Sequence, residues 1–126
     1  MTTSSPPRQY YYVLDLVDDQ ESIAEYERYH QPGNVPPAVI QSMKQAGIQN
    51  MKIFRMENRM VLTMTVDDTF SNERKQSIDE SSEAVQKWEE LMWKFQKPLA
   101  FGQGYRPGTK WREMKVIFDL DQHLKP

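Results

Sequence analysis

The chain has 126 residues, a formal net charge of −2 and no cysteine. This length suits one ordinary domain with one core, and the small net charge creates no field that favours nucleic acid or an anionic membrane. The absence of cysteine excludes disulfides, thiolate zinc sites and a cysteine nucleophile, and the presence of only two histidines, His30 and His123, excludes a histidine-rich metal site.

The N-terminal composition and the hydropathy give no sign of a targeting segment. Residues 1–8 are rich in Thr, Ser and Pro and contain no apolar run, so they do not read as a secretory signal. No stretch approaches the roughly 20 apolar residues that a membrane span needs. We therefore expect a soluble cytoplasmic protein without a nucleic-acid or membrane partner. It should have a disordered tail over 1–8, a single domain over 9–121 and a C-terminal tail over 122–126.

The first elements of the domain are predicted to be a strand and two helices. Residues 10–17 are rich in aromatic and branched side chains that fall alternately on two faces, which is typical of a strand. A helix should follow to about His30, begun either by Asp19 or by a capping box that starts at Ser22. A second helix should open at Pro36-Pro37 and end near Gly47.

The remaining elements are predicted from alternation and helical spacing. Residues 51–56 and 60–66 should form a hairpin. Residues 71–80 indicate a short helix, and 82–96 a stronger one with an apolar stripe. A loop over 97–110, with two prolines and three glycines, should lead to a final strand over 111–120.

This order of elements predicts an α+β fold of the ferredoxin-like, split βαβ type, with one antiparallel sheet and helices on one of its faces. The other face of the sheet must be covered, and the predicted strands carry apolar residues on both faces. We therefore expect a homodimer with a dimeric α/β barrel-like assembly.

The sequence contains no serine nucleophile elbow, phosphate loop, dinucleotide fingerprint or metal motif. His30 is the sharpest candidate for chemistry, because its ordinary pKa lies near neutrality. Tyr26 lies four residues earlier, on the same helical face, so an imidazole and a hydroxyl should point to one place. The alternative is that His30 is a helix-end histidine that interacts with the last carbonyls.

Further candidates are the aromatic and charged side chains that could hold a sugar. Trp88, Trp93 and Trp111 could each offer a flat platform, although the helical stripe around Trp88 favours core packing and Trp93 is off that stripe. Glu89 is a better candidate than the nearby carboxylates of the solvated helix face, because it adjoins Trp88. Arg55 shares a strand face with Met51 and Ile53, so it should either extend to solvent or meet a ligand hydroxyl.

Six short runs occur in a fixed order over roughly residues 10–120. They are AEYERYH (24–30), QAGI (45–48), MKIFR (51–55), NRM (58–60), VQKWEELMWKFQ (85–96) and VIFDL (116–120), with Trp111 before the last. Together these runs resemble the L-rhamnose mutarotase family, and their joint order is more specific than any one of them.

The resemblance implies a dimeric ferredoxin-like protein that interconverts the α and β anomers of a 6-deoxyhexose without a metal or a cofactor. It implies that His30 transfers protons, that Tyr26 contacts the substrate and that Trp88 forms a platform for the sugar ring. Arg55 and Glu89 are further candidates for substrate binding. The expected partner is thus a monosaccharide such as L-rhamnose or L-fucose.

Several positions depart from the pattern of this family. Better-known members have an aromatic residue at the place of Met51 and a second tryptophan at the place of Glu89. Close relatives have Trp-Pro-Glu where this chain has Pro-Pro-Ala at 36–38, and they tend to have an acidic residue at Lys52 and a tyrosine at Phe54. These departures leave the pair of His30 and Tyr26 intact and bear mainly on the choice of sugar.

Two other functions stay open on the sequence alone. One is a different cofactor-free enzyme on a dimeric α+β barrel scaffold, such as a small oxygenase or isomerase for an apolar aromatic substrate. The methionine-rich strands would suit such a pocket. The other is a non-catalytic sugar-binding relative, since fold alone does not fix function.

Overall fold

The computed structural model describes residues 8–102, 106 and 109–124 of the chain. The described part alternates strands and helices. In chain order they are β1 (Arg8–Leu16), α1 (Gln20–Tyr29), α2 (Pro37–Gln45), β2 (Ile48–Met56), β3 (Arg59–Val66), α3 (Asn72–Glu80), α4 (Glu83–Trp93), β4 (Gln96–Lys97), β5 (Arg112–Glu113) and α5 (Leu120–Leu124). None of the described helices is long and apolar enough to cross a membrane.

The strands form one sheet in the order β2, β3, β1, β4, with β5 also paired to β1. Every strand pair in it is antiparallel. Because β3 pairs along β1 on one side, β4 and β5 share the other side, where they pair with Asp15–Leu16 and with Tyr12–Val13. The predicted α+β fold with an antiparallel sheet is thus confirmed.

Alternation along β1 and β3 decides which face of the sheet is buried. Leu14 and Leu16 of β1 and Met60 and Val66 of β3 are almost completely buried in the core. Burying each such side chain stabilises the fold by about 2 kcal/mol. Their strand neighbours on the opposite face are partly or fully exposed, so the helices cover one face only, as the period of two predicts.

Three helices begin at residues whose side chains accept a hydrogen bond from a free backbone N–H. Asp19 Oδ2 accepts from the Ser22 amide of α1 at 3.0 Å. Ser71 and Ser82 cap α3 and α4 in the same way. Each such cap contributes about 1 kcal/mol. Of the two predicted starts for the first helix, Asp19 is therefore the observed one.

Both ends of the domain differ from the sequence-based expectation. Arg8 is not part of a tail, because it lies in β1 opposite Val66; residues 1–7 lie outside the described part. The predicted strand over 111–120 is mostly wrong, since only Arg112–Glu113 pairs with β1. A strand continues only where its backbone keeps a partner edge. After Glu113 the Met114 amide still donates to the Tyr11 carbonyl of β1 at 2.8 Å, and the described residues 115–119 are not paired in the sheet. Residues 120–124 form the short helix α5, which has no buried residue, so the part of the expected C-terminal tail that the structure describes is helical.

The end of the fourth helix also differs. It ends at Trp93 and not at Gln96, because Gln96 pairs with Leu16 in β4. Lys97 belongs to the same short strand, so the predicted loop begins one residue later than expected. Residues 103–105 and 107–108 of that loop lie outside the described part.

Candidate active site

A cleft of about 810 Å³ lies against the helix-facing side of the sheet. Its sheet side is formed by residues that alternate along β1, β2 and β3: Tyr12, Met51, Ile53, Arg55, Met60, Leu62 and Met64. Its other walls come from the helices and the segments that join them, and they include Tyr26, Glu27, His30, Val35, Met43, Phe70, Lys75, Trp88, Glu89, Met92, Gln96 and Trp111.

The five residues to which the sequence analysis gave a role in catalysis or substrate binding all line this one cleft: His30, Tyr26, Trp88, Arg55 and Glu89. Tyr26 and His30 reach it from one turn of α1, because residues four apart share a helical face. Trp88 and Glu89 reach it from α4. Arg55 reaches it from β2, where its register partner is Met60 on the buried face of β3.

His30 lies at the C-terminal cap of α1, with its ring packed 4.3 Å from that of Tyr26 and 5.3 Å from that of Trp88. Its Nδ1 atom is 2.7 Å from the backbone oxygen of Tyr26. A carbonyl oxygen can only accept, so Nδ1 carries the proton and Nε2 of the neutral ring is the basic nitrogen. Burial lowers the pKa of His30, and the hydrogen bond to Tyr26 opposes this shift in part. The bond to a late carbonyl fits the helix-end alternative as well, and it leaves Nε2 able to exchange a proton.

Tyr26 is 4% exposed and accepts a hydrogen bond from the side-chain amide of Gln96, 3.3 Å away. Burial raises the pKa of Tyr26 to about 12; the bond from Gln96 lowers it, and the charge of Glu89 raises it further. The phenol is therefore protonated at neutral pH. Because Gln96 donates to its oxygen, the proton of the hydroxyl is available for a ligand.

Trp88 belongs to the hydrophobic core and is 8% exposed. Its ring meets Tyr29 and His30 edge to face. The core-packing interpretation of this residue is thus confirmed. Because part of Trp88 also lines the cleft, the same side chain supports His30 and borders the space that a ligand would occupy.

Arg55 is held by two acceptors at the edge of the cleft. Its Nε donates to Glu27 Oε1 at 2.5 Å, and its Nη1 donates to the backbone oxygen of Glu57 at 2.8 Å. Glu27 also lines the cleft, and sequence reasoning missed it. The only sequence signal was its position next to Tyr26, since no spacing rule joins α1 to β2.

Glu89 Oε2 accepts a hydrogen bond from Lys110 at 2.5 Å. The same ammonium group lies 4.6 Å from the centre of the Trp93 ring. Trp93 itself lines no part of the cleft, whereas Trp111, next to Lys110, does.

Gln96 is a second residue that sequence reasoning missed. It is buried, and its Oε1 has no hydrogen-bond partner among the residues that the structure describes. The sequence placed it at the end of a helix, so nothing indicated that it would reach Tyr26. No group of three or more His, Cys, Asp or Glu side chains in the described ranges is placed to hold a metal ion.

Comparisons with known proteins agree on a family and a fold. Residues 9–120 match the family model for L-rhamnose mutarotase. The chain is 47% identical over 111 residues to an L-fucose mutarotase from Xanthomonas campestris pv. campestris, which covers 88% of this chain and 86% of that protein.

Two solved structures have a similar fold. A crystal structure of an L-rhamnose mutarotase from Formosa agariphila matches with a TM-score of 0.58 and 19% identity, over 89% of this chain and 97% of that one. The tetracenomycin F2 cyclase of Streptomyces glaucescens, a type II polyketide cyclase, matches with a TM-score of 0.51 and 16% identity, over 89% and 95%. At these identities both likenesses concern the fold alone.

Proposed function

Because the chain belongs to the L-rhamnose mutarotase family, an isomerase family that acts on carbohydrates, we propose that His30 and Tyr26 interconvert the anomers of a 6-deoxyhexose in the cleft. The observation that carries this assignment is the hydrogen bond from His30 Nδ1 to the backbone of Tyr26. It leaves a basic Nε2 in the same cleft as a protonated phenol.

Mutarotation inverts the configuration at C1 by proton transfers, and the composition and oxidation state of the sugar do not change. The hydroxyl on C1 loses its proton, the bond between C1 and the ring oxygen breaks, and the ring oxygen gains a proton. The open-chain aldehyde then rotates about the C1–C2 bond and closes on its other face by the reverse steps. An acid and a base suffice, and no electron is transferred.

His30 is the base in this proposal. Its lowered pKa keeps the ring neutral at pH 7, so Nε2 can accept the proton from the anomeric hydroxyl and return it on ring closure. Tyr26 is the partner that donates a hydrogen bond or a proton to the ring oxygen or a neighbouring hydroxyl. With a pKa of about 12 it stays protonated in the resting site.

The other cleft residues would hold the sugar and not react with it. Trp88 offers an apolar edge, Glu89 accepts hydrogen bonds, and the ion pair of Arg55 and Glu27 offers further polar groups for the hydroxyls. The apolar floor of methionine, leucine and isoleucine side chains suits the methyl group that replaces the C6 hydroxymethyl in a 6-deoxy sugar.

L-fucose is the first sugar to test, because the 47% identical relative is an L-fucose mutarotase. The test is exchange NMR on the anomeric protons of L-fucose and L-rhamnose with the wild-type protein. L-galactose is the matched control, since it differs from L-fucose only by the hydroxyl on C6. We expect faster exchange for a 6-deoxy sugar than for L-galactose.

Equal acceleration of L-fucose and L-galactose would contradict the 6-deoxy preference. Binding of a 6-deoxy sugar without faster exchange would favour a non-catalytic sugar-binding relative. The polyketide cyclase likeness adds no rival here, because it concerns the fold alone.

We also propose that the protein is a homodimer of ferredoxin-like subunits whose open sheet faces pack into a barrel-like assembly. On the face away from the helices, Phe54, Val61 and Val13 lie in one row across three strands. Phe54 is exposed, and Ile117 after β5 is 92% exposed between two further exposed apolar residues, Val116 and Phe118. A symmetric contact with a second copy would cover such surfaces on both subunits at once.

Light scattering after size exclusion tests the dimer at micromolar concentration. The wild type should have twice the mass of the chain, and the double variant Phe54→Glu and Ile117→Glu should be a monomer. Lys94→Glu, at an exposed lysine after α4 and away from this face, is the control for added charge and should stay dimeric. A monomeric wild type, or a double variant that stays dimeric, would contradict this surface as the interface.

A further inference from the structure

Lys110 and Glu89 form an ion pair that links the segment before β5 to α4. The Nζ–Oε2 distance is 2.5 Å, and the ammonium group lies 4.6 Å from the centre of the Trp93 ring. The Lys110 side chain is only 11% exposed, whereas that of Glu89 is 48% exposed. The lysine is therefore the enclosed member of the pair, and the carboxylate is the accessible one.

The ion pair with Lys110, and the contact of Lys110 with the Trp93 ring, restrict the side chain of Glu89, which would otherwise be free to rotate. Glutamate loses rotamer entropy when it is fixed, and a free carboxylate on an exposed helix face has no preferred direction. Lys110 engages Oε2 and is itself oriented by the ring of Trp93. Glu89 thus keeps one direction while its remaining acceptor positions stay open to a ligand.

The direction of the Glu89 carboxylate matters for ligand binding because Glu89 is part of the cleft wall. Glu89 lines the cleft next to Trp88, and its charge is felt by the buried phenol of Tyr26. A carboxylate is an acceptor only, so it recognises groups that donate. The hydroxyls of a sugar are such donors, and a bond from a hydroxyl to a fixed carboxylate depends on the direction in which the hydroxyl points.

We propose that Lys110 is a positioning residue that fixes Glu89 as the acceptor for one sugar hydroxyl, so that the pair selects among 6-deoxyhexoses by the orientation of that hydroxyl. This inference rests on the proposed function. The pair transfers no proton in the reaction; it contributes equally to the bound sugar and to the transition state. Loss of such uniform binding raises KM and leaves kcat nearly unchanged.

The test compares Lys110→Met with the wild type by exchange NMR on L-fucose at several concentrations. Methionine keeps much of the aliphatic stem and removes the charge. We expect KM to rise on the order of tenfold with kcat within about twofold, as for the loss of a charge-assisted hydrogen bond. Lys110→Arg should recover most of the wild-type KM, and Lys94→Met, at an exposed lysine just after the same helix, should have no effect.

A second arm identifies the hydroxyl. The wild type and Lys110→Met are compared on 2-deoxy, 3-deoxy and 4-deoxy forms of L-fucose. The sugar that lacks the hydroxyl held by Glu89 should have the same KM with both proteins, while the other two should keep the difference. Glu89→Gln should give the same pattern as Lys110→Met.

An unchanged KM in Lys110→Met, or a loss of thermal stability alone, would overturn the inference and leave the proposed function intact. If the wild type accelerates no sugar, the proposed function fails, and the dissociation constant of L-fucose becomes the readout. A tenfold weaker affinity of Lys110→Met would still support the positioning role. Equal affinity, or no binding by either protein, would overturn it.

Discussion

The side-chain amide of Gln96 donates a hydrogen bond to the hydroxyl of Tyr26 across 3.3 Å, joining residues 70 positions apart. The bond occupies one lone pair of the phenol oxygen and so helps to turn the phenol proton toward another acceptor. Its geometric effect is thus to aim the hydroxyl, while Oε1 of the same amide has no partner in the described part of the chain.

Replacing Gln96 by leucine should therefore separate activity from stability. The variant loses one hydrogen bond, worth about 1 kcal/mol, and removes a buried unpaired carbonyl, which costs about 1–3 kcal/mol in the wild type. We expect urea unfolding to give equal or higher stability and exchange NMR to give a several-fold lower kcat. A parallel fall in stability and activity would contradict an orienting role for this amide.

His30→Asn tests the proposed base directly. Asparagine can still donate to the backbone oxygen of Tyr26, as Nδ1 of His30 does, but it has no group in the place of Nε2. General acid–base catalysis by one residue contributes about 10²–10⁴-fold, so kcat should fall by this order. The control is His123→Asn on α5, since His123 does not line the cleft. Retention of full activity in His30→Asn would exclude His30 as the base.

The rate should also depend on pH in one direction. Burial lowers the pKa of His30 from its ordinary value of 6.5. A base acts when it is neutral, so kcat/KM should rise as the pH increases through a value below 6.5 and be level above it. The pKa of Tyr26, at about 12, predicts no fall from loss of its proton up to about pH 10.

The measurement pairs a pH–rate profile with an NMR titration of the imidazole protons. The chain has two histidines, so His123→Asn leaves the signal of His30 alone. A midpoint of the rate that coincides with the titration of His30 would support its role. A midpoint above 6.5 would contradict the effect of burial.

Local rules of sequence account for much of the fold and for the set of residues in the cleft. Alternation along the strands placed Arg55 on the cleft side of β2, and helical spacing placed Tyr26 and His30 together. Each of these predictions depends on a period that a single element sets by itself. The cap at Asp19 is local in the same sense, because its partner is three residues away.

The contacts that the sequence did not reveal all join elements that are distant along the chain. Glu27 meets Arg55, Gln96 meets Tyr26 and Lys110 meets Glu89 only after the sheet and helices have packed. No periodicity encodes such pairs. The strand predicted over 111–120 failed for the same reason, since alternation describes one strand and not the edge it needs.

Gly47 offers a prediction about stability that is independent of the cleft. It follows α2 with a φ of +95°, a conformation that L side chains rarely adopt, and an added Cβ would collide with the side chain of Asp67 and lie 2.7 Å from Thr69 Oγ1. Gly33 has a similar φ of +88° but open space around it. Backbone strain alone should thus lower the free energy of unfolding of Gly33→Ala by about 1–2 kcal/mol. Gly47→Ala should lower it clearly more, because its Cβ also collides with side chains.

Urea unfolding of the two variants measures this difference under one condition. The steric part can be isolated by Asp67→Ala, which removes the carboxylate that the new Cβ would meet. The loss caused by Gly47→Ala should be smaller in the Asp67→Ala background than in the wild type, because neighbouring changes do not add. Equal losses for Gly47→Ala and Gly33→Ala would show that the Asp67 and Thr69 side chains turn aside and that the backbone strain alone matters.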